Sequence, residues 1–149
     1  MRFDIKGEDF FGKRGMTWDE FEAEVQKLAA KIDFTPDIIV GIARGGVIPA
    51  TLFSYIFRVK DMFVLKLEKK GEKQISAFAL KDVAGKRVLL VEDMIETGRG
   101  MMGGKEFLQG KGAEVKTACL YTMAKSEIVP DFSLKRLHEA PEFPWNKKR

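Results

Sequence analysis

Apolar residues in this chain occur in two kinds of run, and their alternation predicts the architecture. In "TWDEFEAEVQKLAAKI", Trp18, Phe21, Val25, Leu28, Ala29 and Ile32 recur at helical spacing and fall on one face. Thr17 and Glu20 form a capping-box pair at its start, in which hydroxyl and carboxylate satisfy free backbone N–H groups. Pro36 follows, and "DIIVGI" reads as a short buried strand. "VIPATLFSYIF" is apolar almost all round, as expected of a helix packed deep against a sheet. Pro49 fits its first turn, where a missing N–H does no harm. "MFVLKLE" is the next strand, "KKGEKQ" a polar glycine-containing loop and "ISAFAL" a returning strand. After "KDVAGK" comes "RVLLVED", the strongest strand signal, then "GRGMMGGKEFLQGKG", a glycine-weakened helix, and "EVKTACLYTM", another buried strand. The closing "HEAPEFPWNKKR" has no periodicity and is expected to fold back over the body.

Near-continuous apolar strands alternating with helices argue for an α/β fold: a mostly parallel twisted sheet with helices on both faces. The 149 residues suit a single domain, 1–149, with a core large enough to fold unaided. Hydrophobic residues at 45% and charged residues at 32% are an ordinary globular balance. A net charge of +4 and a pI near 9.1 permit an anionic partner without separating nucleic acid from a small phosphorylated metabolite. Apart from the Lys147-Lys148-Arg149 tail the basic residues are spread along the chain, as on a solvated surface. Cys119 is the one cysteine, so no internal disulfide forms, and its apolar setting reads as core. His138 has no second histidine or cysteine near it, which argues against zinc. The N-terminal segment is too charged for a signal peptide, and the longest apolar run, Val47 to Phe57, is too short to span a bilayer. A cytoplasmic protein is expected.

Chemistry concentrates in two segments of like design. "DIIVGIARGGVIPA" runs strand, Arg44-Gly45-Gly46, helix; "VLLVEDMIETGRGM" runs strand, acids, Thr97-Gly98-Arg99-Gly100, helix. Ligands of open parallel sheets bind beyond the carboxyl ends of the strands, where both turns would lie. Glycines let backbone N–H groups approach a ligand, and a helix N-terminus favours negative charge, so each turn is a candidate anion cradle. Glu92 and Asp93 would sit between the two cradles, where like charges repel. They make sense there if they accept hydrogen bonds from hydroxyls, or share a bound Mg²⁺; the plainer alternative is that they only cap the following helix. A ribose bearing a phosphate and a pyrophosphate satisfies the whole arrangement.

"VLLVEDMIETGRG" resembles the phosphoribosyl pyrophosphate motif of type I phosphoribosyltransferases, and "IVGIARGG" resembles that family's pyrophosphate loop. The resemblance runs from Asp37 to Met123 and implies the family's fold, with a small hood and a C-terminal base-binding region. Within the family, "VEDMIETG", "YTMAKS", "PDF" and "FPW" are most similar to the 6-oxopurine enzymes, the hypoxanthine-guanine and xanthine-guanine phosphoribosyltransferases. The resemblance implies that Glu92 and Asp93 hold the ribose hydroxyls, with the same pair beside Mg²⁺. It places Glu96 at the purine's imidazole nitrogen as the catalytic acid/base group, and the backbone and side chains of Thr97, Gly98, Arg99 and Gly100 around the 5′-phosphate. Arg44 and Gly45 would bind pyrophosphate through a strained backbone, and Lys125 would read the exocyclic oxygen of the purine. The loop from Lys69 to Gln74 would be the closing hood, with Lys69 or Lys73 reaching the pyrophosphate.

Three positions depart from the pattern. Glu96 stands where an aspartate is usual, Gly100 where the phosphate loop commonly has a hydroxyl residue, and Ala140 where relatives often stack an aromatic on the base. Phe132, Phe143 and Trp145 are the alternative stacking candidates, each equally suited to core packing. The function implied is an Mg²⁺-dependent purine phosphoribosyltransferase acting on phosphoribosyl pyrophosphate and a purine base, as a homodimer or higher homo-oligomer without membrane or nucleic-acid partners. The alternatives are a regulator that keeps the site as a sensor and binds nucleic acid, and a transferase for another nitrogen acceptor such as a pyrimidine, against which Lys125 argues.

Overall fold

The structure, a computed structural model, describes residues 4–5, 15–70, 72–78 and 80–146. Its strands are β1 (Asp4–Ile5), β2 (Ile38–Ile42), β3 (Met62–Lys70), β4 (Glu72–Phe78), β5 (Arg87–Ile95), β6 (Glu114–Met123) and β7 (Lys135–Leu137). The helices are α1 (Trp18–Lys31), α2 (Val47–Ile56) and α3 (Arg99–Gly110). The seven strands form one sheet in the order β1-β7-β6-β5-β2-β3-β4, parallel throughout except for the β3–β4 pair.

Side chains alternate across a strand, and β5 shows the consequence for a sheet covered twice. Leu89 and Val91 enter a core shared with Phe21, Val25 and Leu28 of α1 and Phe53 of α2. Val88 and Leu90 enter the opposite core, shared with Met101 and Leu108 of α3. Helices therefore cover both faces, as the sequence pattern predicts.

The capping box at α1 is present. The Glu20 N–H donates to Thr17 Oγ1 at 3.1 Å, and the Thr17 N–H donates to Glu20 Oε1 at 2.9 Å. A buried polar junction then ties α1 to the sheet: Tyr121 donates its hydroxyl proton to Glu24 at 2.7 Å, and Lys27 lies 3.0 Å from the same carboxylate. The carboxyl-terminal segment folds back as expected. The Met16 N–H donates to the Glu142 carbonyl at 2.9 Å, and Phe143 stacks between Tyr121 and Trp145 at centroid distances of 6.0 and 4.7 Å.

Two expectations need correction. "KKGEKQ" is not a loop: Lys69 and Lys70 end β3, Glu72 opens β4, and Lys69 stands opposite Lys73 in an antiparallel ladder, with Gly71 outside the described residues. Nor is α2 deep on every side. Ala50 and Phe53 are buried, but Tyr55 is 79% exposed, because the helix meets the sheet along one face only. The short strands β1 and β7, of two and three residues, fall below the length at which a period of two is readable. The Lys147-Lys148-Arg149 tail lies outside the described residues. Among the described residues no helix is long and apolar enough to cross a membrane.

Candidate active site

Because β2 and β5 are parallel neighbours, their carboxyl ends deliver both glycine turns to one edge of the sheet. The contact is close. A Cβ on Gly45 would overlap the Asp93 carboxylate, 2.6 Å from its carboxyl carbon, and one on Gly46 would stand 2.7 Å from the Ile42 carbonyl oxygen. Only glycines let the first turn nest against the acids. The Ala43–Arg44 peptide bond is cis, and the Arg44 side chain is exposed.

Glu92 and Asp93 are half-buried at the end of β5. The Asp93 N–H donates to Glu92 Oε1 at 3.0 Å, and the Met94 N–H donates to Asp93 Oδ1 at 2.7 Å. Burial pushes the Glu92 carboxyl well above its ordinary range, with the Asp93 charge adding to the effect, and burial also raises Asp93. The acids do not cap the next helix; they hold each other and their own backbone. Cys119, opposite Glu92 in the β5–β6 ladder, is fully buried, and burial followed by the two acid charges drives its thiol upward. It is a core residue, as expected.

An acid pair held under its own repulsion favours a cation. Among the described residues no group of three or more His, Cys, Asp or Glu side chains is placed to hold a metal. Two carboxylates fit a Mg²⁺ ion that brings most of its oxygens from water and phosphate, as that ion usually does.

The second cradle is the start of α3. Gly98 precedes the helix at φ +91°, a left-handed conformation that suits glycine. The Arg99 N–H donates to Thr97 Oγ1 at 3.3 Å. The first N–H groups of a helix lack intrahelical acceptors, so Gly100 and Met101 present backbone donors at the positive end of the helix dipole. A cavity of about 410 Å³ opens here, lined by Ala43, Leu67, Glu92, Glu96, Thr97 and Gly100 among others. Leu67, from β3, stands 3.1 Å from where a Gly100 Cβ would lie. That contact is tight for a side chain at position 100, and nothing in the sequence signals it.

Glu96 and Lys125 come from the ends of adjacent strands and meet as an ion pair at 2.9 Å, both 62% exposed. Thus Arg44, Gly45, Glu92, Asp93, Glu96, Thr97, Gly98, Arg99, Gly100 and Lys125 all lie at or next to the carboxyl edge of the sheet. Lys69 and Lys73 stand opposite each other near the far end of the β3–β4 ribbon. The three aromatic stacking candidates belong to the body instead. Phe143 and Trp145 stack on each other, Trp145 also meets Phe21 edge-on at 4.9 Å, and Phe132 packs against the same core. Ala140 is exposed. Ile128 is the residue that sequence reasoning missed: it fills the space beside Gly98.

The frame of the site is a mostly parallel α/β sheet whose carboxyl edge carries two glycine turns around an acid pair. The chain belongs to the phosphoribosyl transferase domain family, whose model matches residues 17–148. It is similar to the purine phosphoribosyltransferase of Pyrococcus horikoshii, at 31% identity and a TM-score of 0.78, covering 90% of this chain and 94% of that one. It is also similar to an orotate phosphoribosyltransferase of Methanospirillum hungatei, 36% identical over 62% of this chain and 55% of the relative. A hypoxanthine-guanine phosphoribosyltransferase of Lactococcus lactis is 32% identical over 64% and 58%. The chain thus spans a little over half the length of these two curated relatives.

Proposed function

We propose that this chain is a Mg²⁺-dependent purine phosphoribosyltransferase. It transfers the phosphoribosyl group of phosphoribosyl pyrophosphate to a 6-oxopurine, giving a nucleoside monophosphate and pyrophosphate. The observation that carries the choice of base is the Glu96–Lys125 pair at 2.9 Å. A 6-oxopurine presents its oxygen and its imidazole nitrogen on one edge. A lysine beside a carboxylate matches that edge, the ammonium donating to the oxygen and the carboxylate accepting the imidazole N–H. The likeness to the purine enzyme of Pyrococcus horikoshii supports the same reading.

In this mechanism the backbone of Thr97 to Gly100 holds the 5′-phosphate, and Glu92 and Asp93 orient the ribose hydroxyls. Arg44 and the Gly45 turn receive the pyrophosphate, and Lys69 or Lys73 approaches it from the β3–β4 ribbon. Asp93 and Glu92 would hold Mg²⁺, which when bound would supply charge stabilisation to the leaving pyrophosphate. Glu96 takes the imidazole proton as the new glycosidic bond forms on the base. Closure of the ribbon over the cavity would keep water from the activated sugar. We also place the enzyme in the cytoplasm as a homodimer or higher homo-oligomer.

Orotate is the second reading, favoured by the curated relatives that carry that name. Against it, Glu96 beside Lys125 offers an acceptor that a purine imidazole N–H can use and an orotate carboxylate cannot. Pyrophosphate release with Mg²⁺ and phosphoribosyl pyrophosphate, offering hypoxanthine, guanine, xanthine, adenine and orotate separately, decides. Turnover with a 6-oxopurine is expected, and its loss on chelation of Mg²⁺. Turnover with orotate alone overturns the base assignment. Phosphoribosyl pyrophosphate binding without turnover on any base would make the chain a sensor, and salt-sensitive nucleic-acid binding would then be sought.

A further inference from the structure

Lys125 is a long, exposed side chain on a turn, yet its ammonium stands 2.9 Å from Glu96. Surface ion pairs of flexible side chains are weakly held by charge alone. The turn that carries Lys125, however, is braced on both sides of it. The Ala124 N–H donates to the Leu137 carbonyl at 2.8 Å, and the Ala124 carbonyl accepts from the Arg136 guanidinium. The Ser126 N–H donates to the Met123 carbonyl at 3.0 Å. The Ser126 hydroxyl then bonds both ends of Ile128, donating to its carbonyl at 2.9 Å and accepting from its N–H at 3.2 Å. These bonds fix where Ile128 points.

Ile128 lands on the phosphate loop. The space a Cβ on Gly98 would fill is already occupied: that atom would overlap Ile128 Cβ and Cγ1 and stand 3.3 Å from Cγ2. The turn therefore touches the loop twice, through the Glu96–Lys125 pair and through Ile128 on Gly98, the residue that opens α3.

We propose that Ile128 is a positioning residue. Seated on Gly98, it holds Lys125 against Glu96 and ties the base subsite to the phosphate loop. The inference rests on the purine reading for what Lys125 recognises, but its mechanical part does not. A ligand seated at Thr97 to Gly100 is then felt at Lys125, because the two loops move as one body.

Valine keeps Cβ, Cγ1 and Cγ2, the three atoms that meet Gly98, whereas alanine keeps only Cβ. The test follows from that difference. Acylation of Lys125 in the free protein, followed by mass spectrometry, should accelerate in Ile128→Ala and stay at the wild-type rate in Ile128→Val. In turnover at saturating phosphoribosyl pyrophosphate, Ile128→Ala should raise the KM for the base about fivefold, in the range an exposed ion pair can carry, with a smaller change in kcat. In a Lys125→Ala background the same substitution should add nothing to that KM, since the residue acts through Lys125.

Should Ile128→Ala fail to fold by thermal melting, Gly98→Ala displaces Ile128 from the other side and should accelerate the same acylation. Unchanged labelling in folded Ile128→Ala or Gly98→Ala overturns the proposal, and so does a full KM effect in the Lys125→Ala background. Accelerated labelling in a chain that transfers no base upholds the positioning role and removes the purine reading instead.

Discussion

Gly45 has no room for a side chain, and the atom in its way is the one the site needs. A Cβ there overlaps the Asp93 carboxylate, so Gly45→Ala must turn that acid away from the place where it would meet a ribose. We expect phosphoribosyl pyrophosphate affinity to fall at least about tenfold, with a stability loss of about 1–3 kcal/mol for overpacking; calorimetric titration and melting check the two separately. Glu92 offers a test of opposite sign. Burial raises its carboxyl in the folded chain, so the stability it contributes is fully present below the unfolded glutamate value and is lost as pH rises through the folded value. Glu92→Gln cannot ionise. In metal-free buffer it should melt above the wild type at neutral pH, and the gap should close in acid; melting scans from roughly pH 4 to 8 read this directly. A lower neutral-pH melting point in the variant would show that the carboxylate is not under strain. At this scale the sequence is informative where chemistry is dense: the acids, the glycines and Lys125 all carry motifs. Ile128 and Leu67 carry none, because an apolar residue packed on a glycine looks like any other apolar residue until the chain is folded.

Among the elements, α3 keeps the weakness its composition predicts, with glycines at 100, 103, 104 and 110. They are not equivalent. A Cβ at Gly104 would press on Leu90 at 3.2 Å, while at Gly103 no described residue stands within 4 Å. Gly103→Ala should therefore stabilise the protein by about 0.5–1 kcal/mol, the helix-propensity difference, and denaturant unfolding measures it. A destabilised variant would mean the space is not free. The central strands and the three helices were legible because each buries a face with a regular period. The tip of the β3–β4 ribbon was not: charged residues around a glycine at the end of an edge pair give a loop's signal. The aromatic candidates Phe143 and Trp145 failed for a different reason. Stacking on a base and stacking in a core ask for the same residue type, so composition cannot separate them.

At the scale of the whole molecule, α1 is joined to the sheet by apolar packing and by the buried Glu24–Tyr121 bond. Glu24 is 3% exposed, and Lys27 and Lys135 stand 3.0 and 3.9 Å from it. A buried carboxylate that loses a donor bears a desolvation penalty. Tyr121→Phe should lower unfolding stability by about 1–3 kcal/mol and leave the KM values unchanged, because the junction lies away from the cavity. Denaturant titration alongside steady-state kinetics tests both halves; a shifted KM would show that α1 docking reaches the site. The mostly parallel sheet and the two-sided core followed from the alternation of runs. The edge pairing of β1 with β7 joins distant ends of the chain through two residues each, which local pattern cannot announce.

The Gly45–Asp93 nesting also bears on how such a protein can change. The half of the site that would grip the activated sugar is made of close-fitted backbone, where a single methyl group is excluded. The half that would meet the acceptor sits on turns after β6 and β7, where Val129 is 89% exposed and Ala140 open to solvent. Substitutions can accumulate at the exposed positions of the second half, beyond Ile128, without disturbing the first. A laboratory selection for new acceptors should therefore draw its winners from residues 129–140 and leave the glycine turns untouched.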